Sequence, residues 1–322
     1  MTDVAEQDRA HPSAGVTTRA ADDATPTSVR VAIVAYANPL DELWRCVRAL
    51  LRSIDNAFET PGVELNAVTI DLGDCSPRRL LTNEDAAALS AACPSRVRFE
   101  YRWFGRNLGH SAGTNALCDN APEDALLLLN PDTYASPTLF LRMLRALRDG
   151  DVVAVDARQI PAEHPKHYDE VTGTTSWASG ACMLVRTPHF RGVGGFDADH
   201  FPSYVNDVDL SWRLRLAGGR IVHEPTAVVF HDKRLTVEGG VRPTSSEEYA
   251  GLLGRLVLLS KYGKDDDIAD LLDYLEEHGT TTQASAAEEF RRRRASGALP
   301  ETVAGADHVA EFTEGEYGRR RF

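Results

Sequence analysis

Between Asp124 and Thr133 the chain reads Asp-Ala-Leu-Leu-Leu-Leu-Asn-Pro-Asp-Thr. Four consecutive leucines bounded by turn formers fit a strand buried on both faces, and Pro131 stops a helix too soon. The end of that strand expels Asn130 and Asp132 from the core. In an open α/β sheet ligands bind at the carboxyl edge of the strands, so Asp132 becomes a site candidate. The plainer alternative is that Asp132 only turns the chain toward a helix capped by Ser136 and Pro137.

The flanking segments repeat the same strand and helix rhythm. Residues 1–28 mix Ala, Asp, Thr, Ser, Pro and Arg without a period and are expected to be disordered. The β-branched run from Val29 starts a strand, and Asn38 is expected to cap a helix carrying Leu43, Val47, Leu50 and Ile54 at helical spacing. A second strand over Val63 to Ile70 delivers Asp71 just past its end, and a third covers Val97 to Trp103. Strands alternating with helices predict an α/β fold, a mostly parallel sheet with helices on both faces. The stretch Gly105-Arg-Asn107-Leu-Gly109-His-Ser-Ala-Gly113-Thr-Asn115 lacks the endings of a P-loop and of a dinucleotide-binding loop. ATPase and dehydrogenase chemistry both lose support there.

A helix from Pro137 to Arg148, a strand at Val152 to Asp156 and a long surface loop from Gln159 to Thr175 come next. Trp177 stands at the entrance of a further strand, where the ring either joins the core or stacks on a sugar face. Downstream, Leu210, Leu214 and Ala217 recur at helical spacing, so Asp207 and Asp209 fall in a first helical turn, where the dipole favours an ionised carboxylate. A strand over Ala227 to Phe230 ends in His231. From about Ser245 the pattern turns helical, with capping boxes expected at Ser245 to Glu248 and Ser285 to Glu288 and an arginine run, Arg291 to Arg294, read as a solvated face. The chain thus divides into a tail (1–28), an α/β domain (29–240) and a helical extension (241–322).

Composition narrows the partners. The formal charge of −13 argues against nucleic acid or an anionic membrane as the main partner. Five cysteines without a CxxC pair read as thiols of a reducing cytoplasm, and no secretion signal or membrane-spanning run is expected.

One carboxylate and one imidazole at the sheet edge suit Mn²⁺ or Mg²⁺ completed by substrate oxygens, and no cysteine set exists for structural zinc. An acidic protein that holds a diphosphate needs such a cation, and Asp207 would accept a proton from an incoming hydroxyl. Four motifs in order (Asp71 with Gly73; Asn107-Leu-Gly109 through Asn115; Asn130-Pro-Asp132; Ser179-Gly180-Ala181 leading to Asn206-Asp-Val-Asp209 and His231) resemble the family-2 glycosyltransferases of GT-A fold. The resemblance implies that Asp132 and His231 bind the metal and that Asp207 is the general base of an inverting displacement. It further implies a nucleotide-sugar site at Ala35, Tyr36, Asp71, Asn107, Gly109, Asn130 and Asp132, and an acceptor site at Trp177, Gly180, Asn206 and Asp209. Asn130 stands where the family's first metal-side acid is common, and Asn206 where a glutamate commonly precedes the base. The implied partners are a nucleotide-diphosphate sugar and a saccharide or lipid-linked acceptor, with contact to the inner membrane face and a second copy of the chain as further candidates. A small natural-product acceptor and a catalytically silent sugar-nucleotide binder are the competing readings. A nucleotidyltransferase lacks its Gly-x-Gly signature between Ala35 and Asp41.

Overall fold

The computed structural model describes residues 26–233, 243–313 and 315–321. Most of the tail expected to be disordered, residues 1–25, and the expected boundary at 240 lie outside the described residues. Thr27 and Ser28 are ordered, both donating to the Asp124 carboxylate.

Strands β1 (Ser28–Ala35), β2 (Ala67–Asp74), β3 (Val97–Trp103) and β4 (Ala125–Leu129) run parallel in the order β3-β2-β1-β4, separated by helices α1 (Leu40–Glu59), α2 (Asn83–Ala91) and α3 (Gly109–Cys118). The leucine strand is buried along its whole length, as its sequence requires. The sheet continues through β5 (Thr133–Ala135), β6 (Val152–Ile160), β7 (Cys182–Arg186) and β8 (Arg220–His231) in the order β4-β7-β6-β8-β5. Here the parallel pattern breaks, since β7 is antiparallel to both β4 and β6, and β5 to β8. The reason is topological: no crossover helix separates β6 from β7, so the chain doubles back through residues 161–181.

Helix α1 and helix α4 (Leu139–Ala146) cover one face of the sheet with Leu43, Leu50, Ile54 and Phe140. Helices α3, α5 (Thr187–Gly192) and α6 (Asn206–Leu216) cover the other with Leu117, Phe190 and Leu210. A further core joins α6 to α7 (Ser245–Lys261), α8 (Asp265–His278) and α9 (Thr281–Ser296) around Trp212, Leu256 and Phe290. The short strands β9 (Phe312–Thr313) and β10 (Glu316–Tyr317) form a two-stranded sheet close to it.

Several helix starts differ from expectation. Asn38 does not cap α1; its side chain accepts the Tyr36 N–H. Helix α4 is shorter than 137–148 and has no side-chain cap. The box before α7 is Thr244 with Glu247, the same spacing one residue earlier, and α9 is capped by Thr280 with Gln283, which puts Ser285 to Glu288 inside the helix. Arg291 to Arg294 are paired with Glu276, Glu289 and Asp265 on their own helical layer.

The largest correction concerns β2, which starts later than Val63 and runs on to Asp74. Asp71 therefore sits inside the strand, fully buried, between the Arg30 and Arg102 guanidinium groups at 2.5 and 2.6 Å. Arg30 also bonds Glu123 at 2.9 Å. Breaking a buried pair by removing one partner leaves an uncompensated charge, at a cost of about 3–5 kcal/mol. Arg30→Met is thus expected to lower the unfolding free energy by that amount, read from equilibrium urea unfolding against wild type.

Candidate active site

Beyond the carboxyl edge of the sheet lies a cavity of about 640 Å³. Asn130, Asp132, Gly180, Asn206, Asp207 and His231, scattered over a hundred residues of sequence, all line it. Three local structures bring them there.

The first is a pairing of β5 with β8, in which Thr133 stands opposite His231 and the Asp232 N–H reaches the Asp132 carbonyl at 3.0 Å. It sets His231 Nε2 3.4 Å from Asp132 Oδ2. The other ring nitrogen, Nδ1, faces the Oε1 of Gln159, a buried residue on β6, at 2.8 Å. An amide oxygen only accepts, so Nδ1 carries the proton and Nε2 offers its lone pair. A lone pair facing a carboxylate is a donor set for a cation, oriented by a partner one step further out. Among the described residues no group of three or more His, Cys, Asp and Glu side chains could hold a metal by itself. The Asp132–His231 pair fits a cation that draws its other ligands from a substrate.

The second is the start of α6. Tyr204 and Val205 both have left-handed backbone, with φ of 58° and 60°, an outlier conformation for a β-branched residue. This turn aims Asp207 at the cavity, and α7 packs against it through Gly254, where a Cβ would stand only 3.1 Å from Val205. Asp207 Oδ2 accepts the Gly180 N–H at 2.9 Å. Burial raises the Asp207 carboxyl above its ordinary value, against the lowering effects of that N–H and of the Lys166 charge. The helix position is as expected, but burial works against ionisation more than expected. Lys233, on the cavity wall, is held below its ordinary value by burial despite Asp132 and Asp207 nearby.

The third is the segment ahead of β7. Ser179 N–H is held by Asp156 at 2.7 Å, and Asp156 in turn binds the buried Lys166 at 2.8 Å and His223 at 2.6 Å. The expected surface loop is therefore anchored in the core at Lys166 rather than free.

Several expected site residues do other work. Asp209 points away from Asp207, as residues two apart on a helix must, and is buried against Lys261 at 2.7 Å and Arg213 at 2.8 Å. It ties α6 to α7 and does not face an acceptor. Trp177 is 3% exposed, with Lys166 Nζ 4.1 Å from the ring centroid and its edges against His164 and Tyr317, so the ring is largely packed into the core while still bordering the cavity. Asn206 donates its amide to His110 at 3.0 Å and Ser111 at 2.8 Å, which commits it to the protein. Asp71 lies far inside β2, as described above. Asp74 is at the edge in its place, but its oxygens are taken by Ser76 N–H, Leu80 N–H and the Tyr101 hydroxyl. Ala35, Tyr36, Asn107 and Gly109 follow the same carboxyl edge without lining the cavity: Tyr36 is 51% exposed, and Asn107 accepts the Gly109 N–H at the start of α3. Gly109 needs its φ of 74°, and a Cβ there would meet the Pro202 carbonyl at 3.0 Å.

Gln159 and His110 were not singled out by sequence. Gln159 lay in a stretch with no readable period, and His110 was hidden inside a glycine-rich loop.

A raised carboxyl favours the protonated form in the folded state, so its stabilising contribution is complete below the ordinary Asp range and is lost as pH rises through the folded value. Asp207→Asn is accordingly expected to raise the melting temperature at pH 7, with the gain shrinking as pH falls into the ordinary Asp range, measured by thermal scans across pH.

The family model described as "Glycosyl transferase family 2" matches residues 31–198, just over half of the chain. An N-acetylglucosaminyl-diphospho-decaprenol L-rhamnosyltransferase of Mycobacterium tuberculosis is 51% identical over 57 residues, 18% of each chain. The match thus spans less than a fifth of that relative's length. A pre-mycofactocin glycosyltransferase of the same organism is 44% identical over 61 residues, 19% of this chain and 13% of the relative. Rhamnosyltransferase WbbL of Escherichia coli is 44% identical over 189 residues, 46% of this chain and 70% of the relative. Among solved structures, GalNAc-T7 with UDP, GalNAc and Mn²⁺ superposes with a TM-score of 0.57 at 14% identity, covering 87% of this chain and 59% of that one. S. aureus TarS gives 0.51 at 12% identity, covering 80% and 44%. At such identities the likeness is one of fold, the GT-A arrangement of sheet and helices.

Proposed function

Because the chain belongs to glycosyl transferase family 2, we propose that it moves a deoxyhexose or hexose from a nucleotide-diphosphate donor to a hydroxyl of a saccharide or lipid-linked saccharide acceptor, in the synthesis of a bacterial surface polysaccharide. The observation that carries this is the convergence of Asp132, His231 and Asp207 on one cavity. In the proposed step the acceptor oxygen attacks the anomeric carbon, the bond from that carbon to the diphosphate oxygen breaks, and Asp207 takes the hydroxyl proton. Displacement from the opposite side inverts the anomeric centre. A burial-raised carboxylate is a better proton acceptor than an exposed one. Asp132 and His231 would hold a divalent cation, Mn²⁺ or Mg²⁺, whose charge offsets that of the leaving diphosphate; the Mn²⁺ in the GalNAc-T7 structure supports this. Lys233 adds a positive group at the same wall.

The rhamnosyltransferase relatives support a deoxyhexose donor, and the decaprenol-linked substrate named for one of them supports a lipid-linked acceptor. No helix among the described residues is long and apolar enough to cross a membrane, so such an acceptor would be met at the membrane face. An acceptor outside polysaccharide synthesis is the second reading, supported by the match to a pre-mycofactocin glycosyltransferase.

Incubation with a panel of UDP-, GDP- and dTDP-sugars, Mn²⁺ and octyl glycosides should reveal release of one nucleoside diphosphate and a glycosylated product. Absence of turnover with every donor, alongside retained binding, would leave a sugar-nucleotide binder instead. Asp207→Asn should lower turnover by about 10²–10⁴ with nucleotide binding kept, as measured by thermal shift. Gln159→Leu removes the group that orients His231 and is expected to weaken Mn²⁺ binding by about 10–100-fold, measured by titration calorimetry with the nucleoside diphosphate present.

A further inference from the structure

His110 lines the cavity beside Asp207 and Gly180; its Cε1 would stand 3.7 Å from a Cβ placed on Gly180, and Asp207 Oδ2 3.6 Å. Its protonation can be worked out from its neighbours. The Phe201 carbonyl can only accept, so the Ser111 hydroxyl that contacts it gives its proton there. Ser111 Oγ then has only lone pairs to offer Asn206, which must turn its amide nitrogen toward it. That same nitrogen lies 3.0 Å from His110 Nδ1, so Nδ1 is an acceptor and the ring proton is on Nε2. Burial lowers the ring to about 4, which keeps it neutral at physiological pH. No hydrogen bond from a described residue reaches Nε2, and that atom is not among the buried polar atoms left without a partner. The ring is also fixed from the side by an edge contact with Phe196, 5.5 Å between centroids.

A neutral N–H with fixed direction, next to a carboxylate, suits an uncharged oxygen. We propose that His110 is a saccharide-binding residue, donating its Nε2–H to a hydroxyl or ring oxygen of a sugar lodged beside Asp207, and that Asn206 and Ser111 are positioning residues that set its tautomer. The inference rests on the transferase reading above. It gives the stretch after Gly109 a role in sugar recognition, and it gives Asn206 a reason to be an amide: a glutamate at that position could not donate to Nδ1.

Three variants separate this from a structural role. His110→Phe keeps a ring against Phe196 and loses both nitrogens; His110→Gln can place an N–H near the Nε2 position; His110→Asn can only replace Nδ1. Each is assayed for hydrolysis of the active donor by water and for transfer to the octyl glycoside used by wild type, with folding checked by the thermal shift that the donor's nucleoside diphosphate produces. Loss of one neutral hydrogen bond corresponds to about 10-fold. If the oxygen belongs to the donor sugar, His110→Phe lowers hydrolysis and transfer alike by that factor. If it belongs to the acceptor, hydrolysis is unchanged and the acceptor KM rises by the same factor. In both cases His110→Gln recovers most of the loss and His110→Asn does not. Recovery by Asn and not by Gln would overturn the proposal, making His110 only a partner for Asn206, and so would a His110→Phe enzyme equal to wild type in both assays. A wild type that turns over no donor would remove the transferase reading and this one together, whereas an active wild type silenced by Asp207→Asn and indifferent to His110→Phe would remove this one alone.

Discussion

A strand of three residues holds the carboxyl edge of this sheet together where Asp132 and His231 meet. Residues Thr133–Ala135 pair antiparallel with the end of β8, and only through that ladder do the carboxylate that closes the leucine strand and the imidazole that closes β8 become neighbours. Both are delivered by strands of the central sheet: β4 is buried along its whole length and hydrogen-bonded on both sides, to β1 and to β7, which fixes where the chain leaves it. The position of Asp132 against His231 is thus a consequence of core packing some way below it. Gln159, on the strand next to β8, adds the hydrogen bond that orients the ring.

The electrostatic arrangement around this edge is one of charges paired away from the cavity. Lys166 is spent on Asp156 and Lys261 on Asp209 and Asp197. Buried ions without partners cost several kcal/mol each, so these pairs keep the elements around the site from sliding against one another. Lys261 matters most, because it joins α7 to α6, and α6 carries Asp207. The C-terminal helices therefore share a core with the helix that presents Asp207 to the cavity. In a chain of formal charge −13, the carboxylates of Asp132, Glu163, Asp207, Asp232 and Glu247 line the cavity, against the ammonium of Lys233 among the described residues. A diphosphate entering there would meet more carboxylates than cations among the described residues, which is the physical case for a cation as its companion.

Where the sequence is legible, the signal is local and strong. Four leucines before Asn-Pro-Asp fix a buried strand and its end, and the apolar spacing after Asp207 fixes a helix beginning near it. Elsewhere a long-range partner overrules the local pattern. Asp71 looked like a strand terminator until two arginines from neighbouring strands let β2 continue through it. Asp209 and Asp207 share a helical turn, but two residues of helix rotate a side chain to nearly the opposite side, so one faces Lys261 and the other Gly180. Trp177 is packed by Lys166, His164 and Tyr317, partners from distant segments that place it in the core at the border of the cavity.

The sequence by itself determined the layers of the fold, most of the longer strands and helices along the chain and the three groups at the carboxyl edge, but not β5, because burial periodicity and chain punctuation are properties of short segments and three residues carry no period. The tertiary structure alone decided which of the acids face the cavity, which nitrogen of His231 and of His110 carries its proton, and that β7 and β5 run against their neighbours. Those outcomes depend on partners tens of residues away, and a hydrogen-bond acceptor or a counter-ion leaves no trace in the local pattern of the residue it orients.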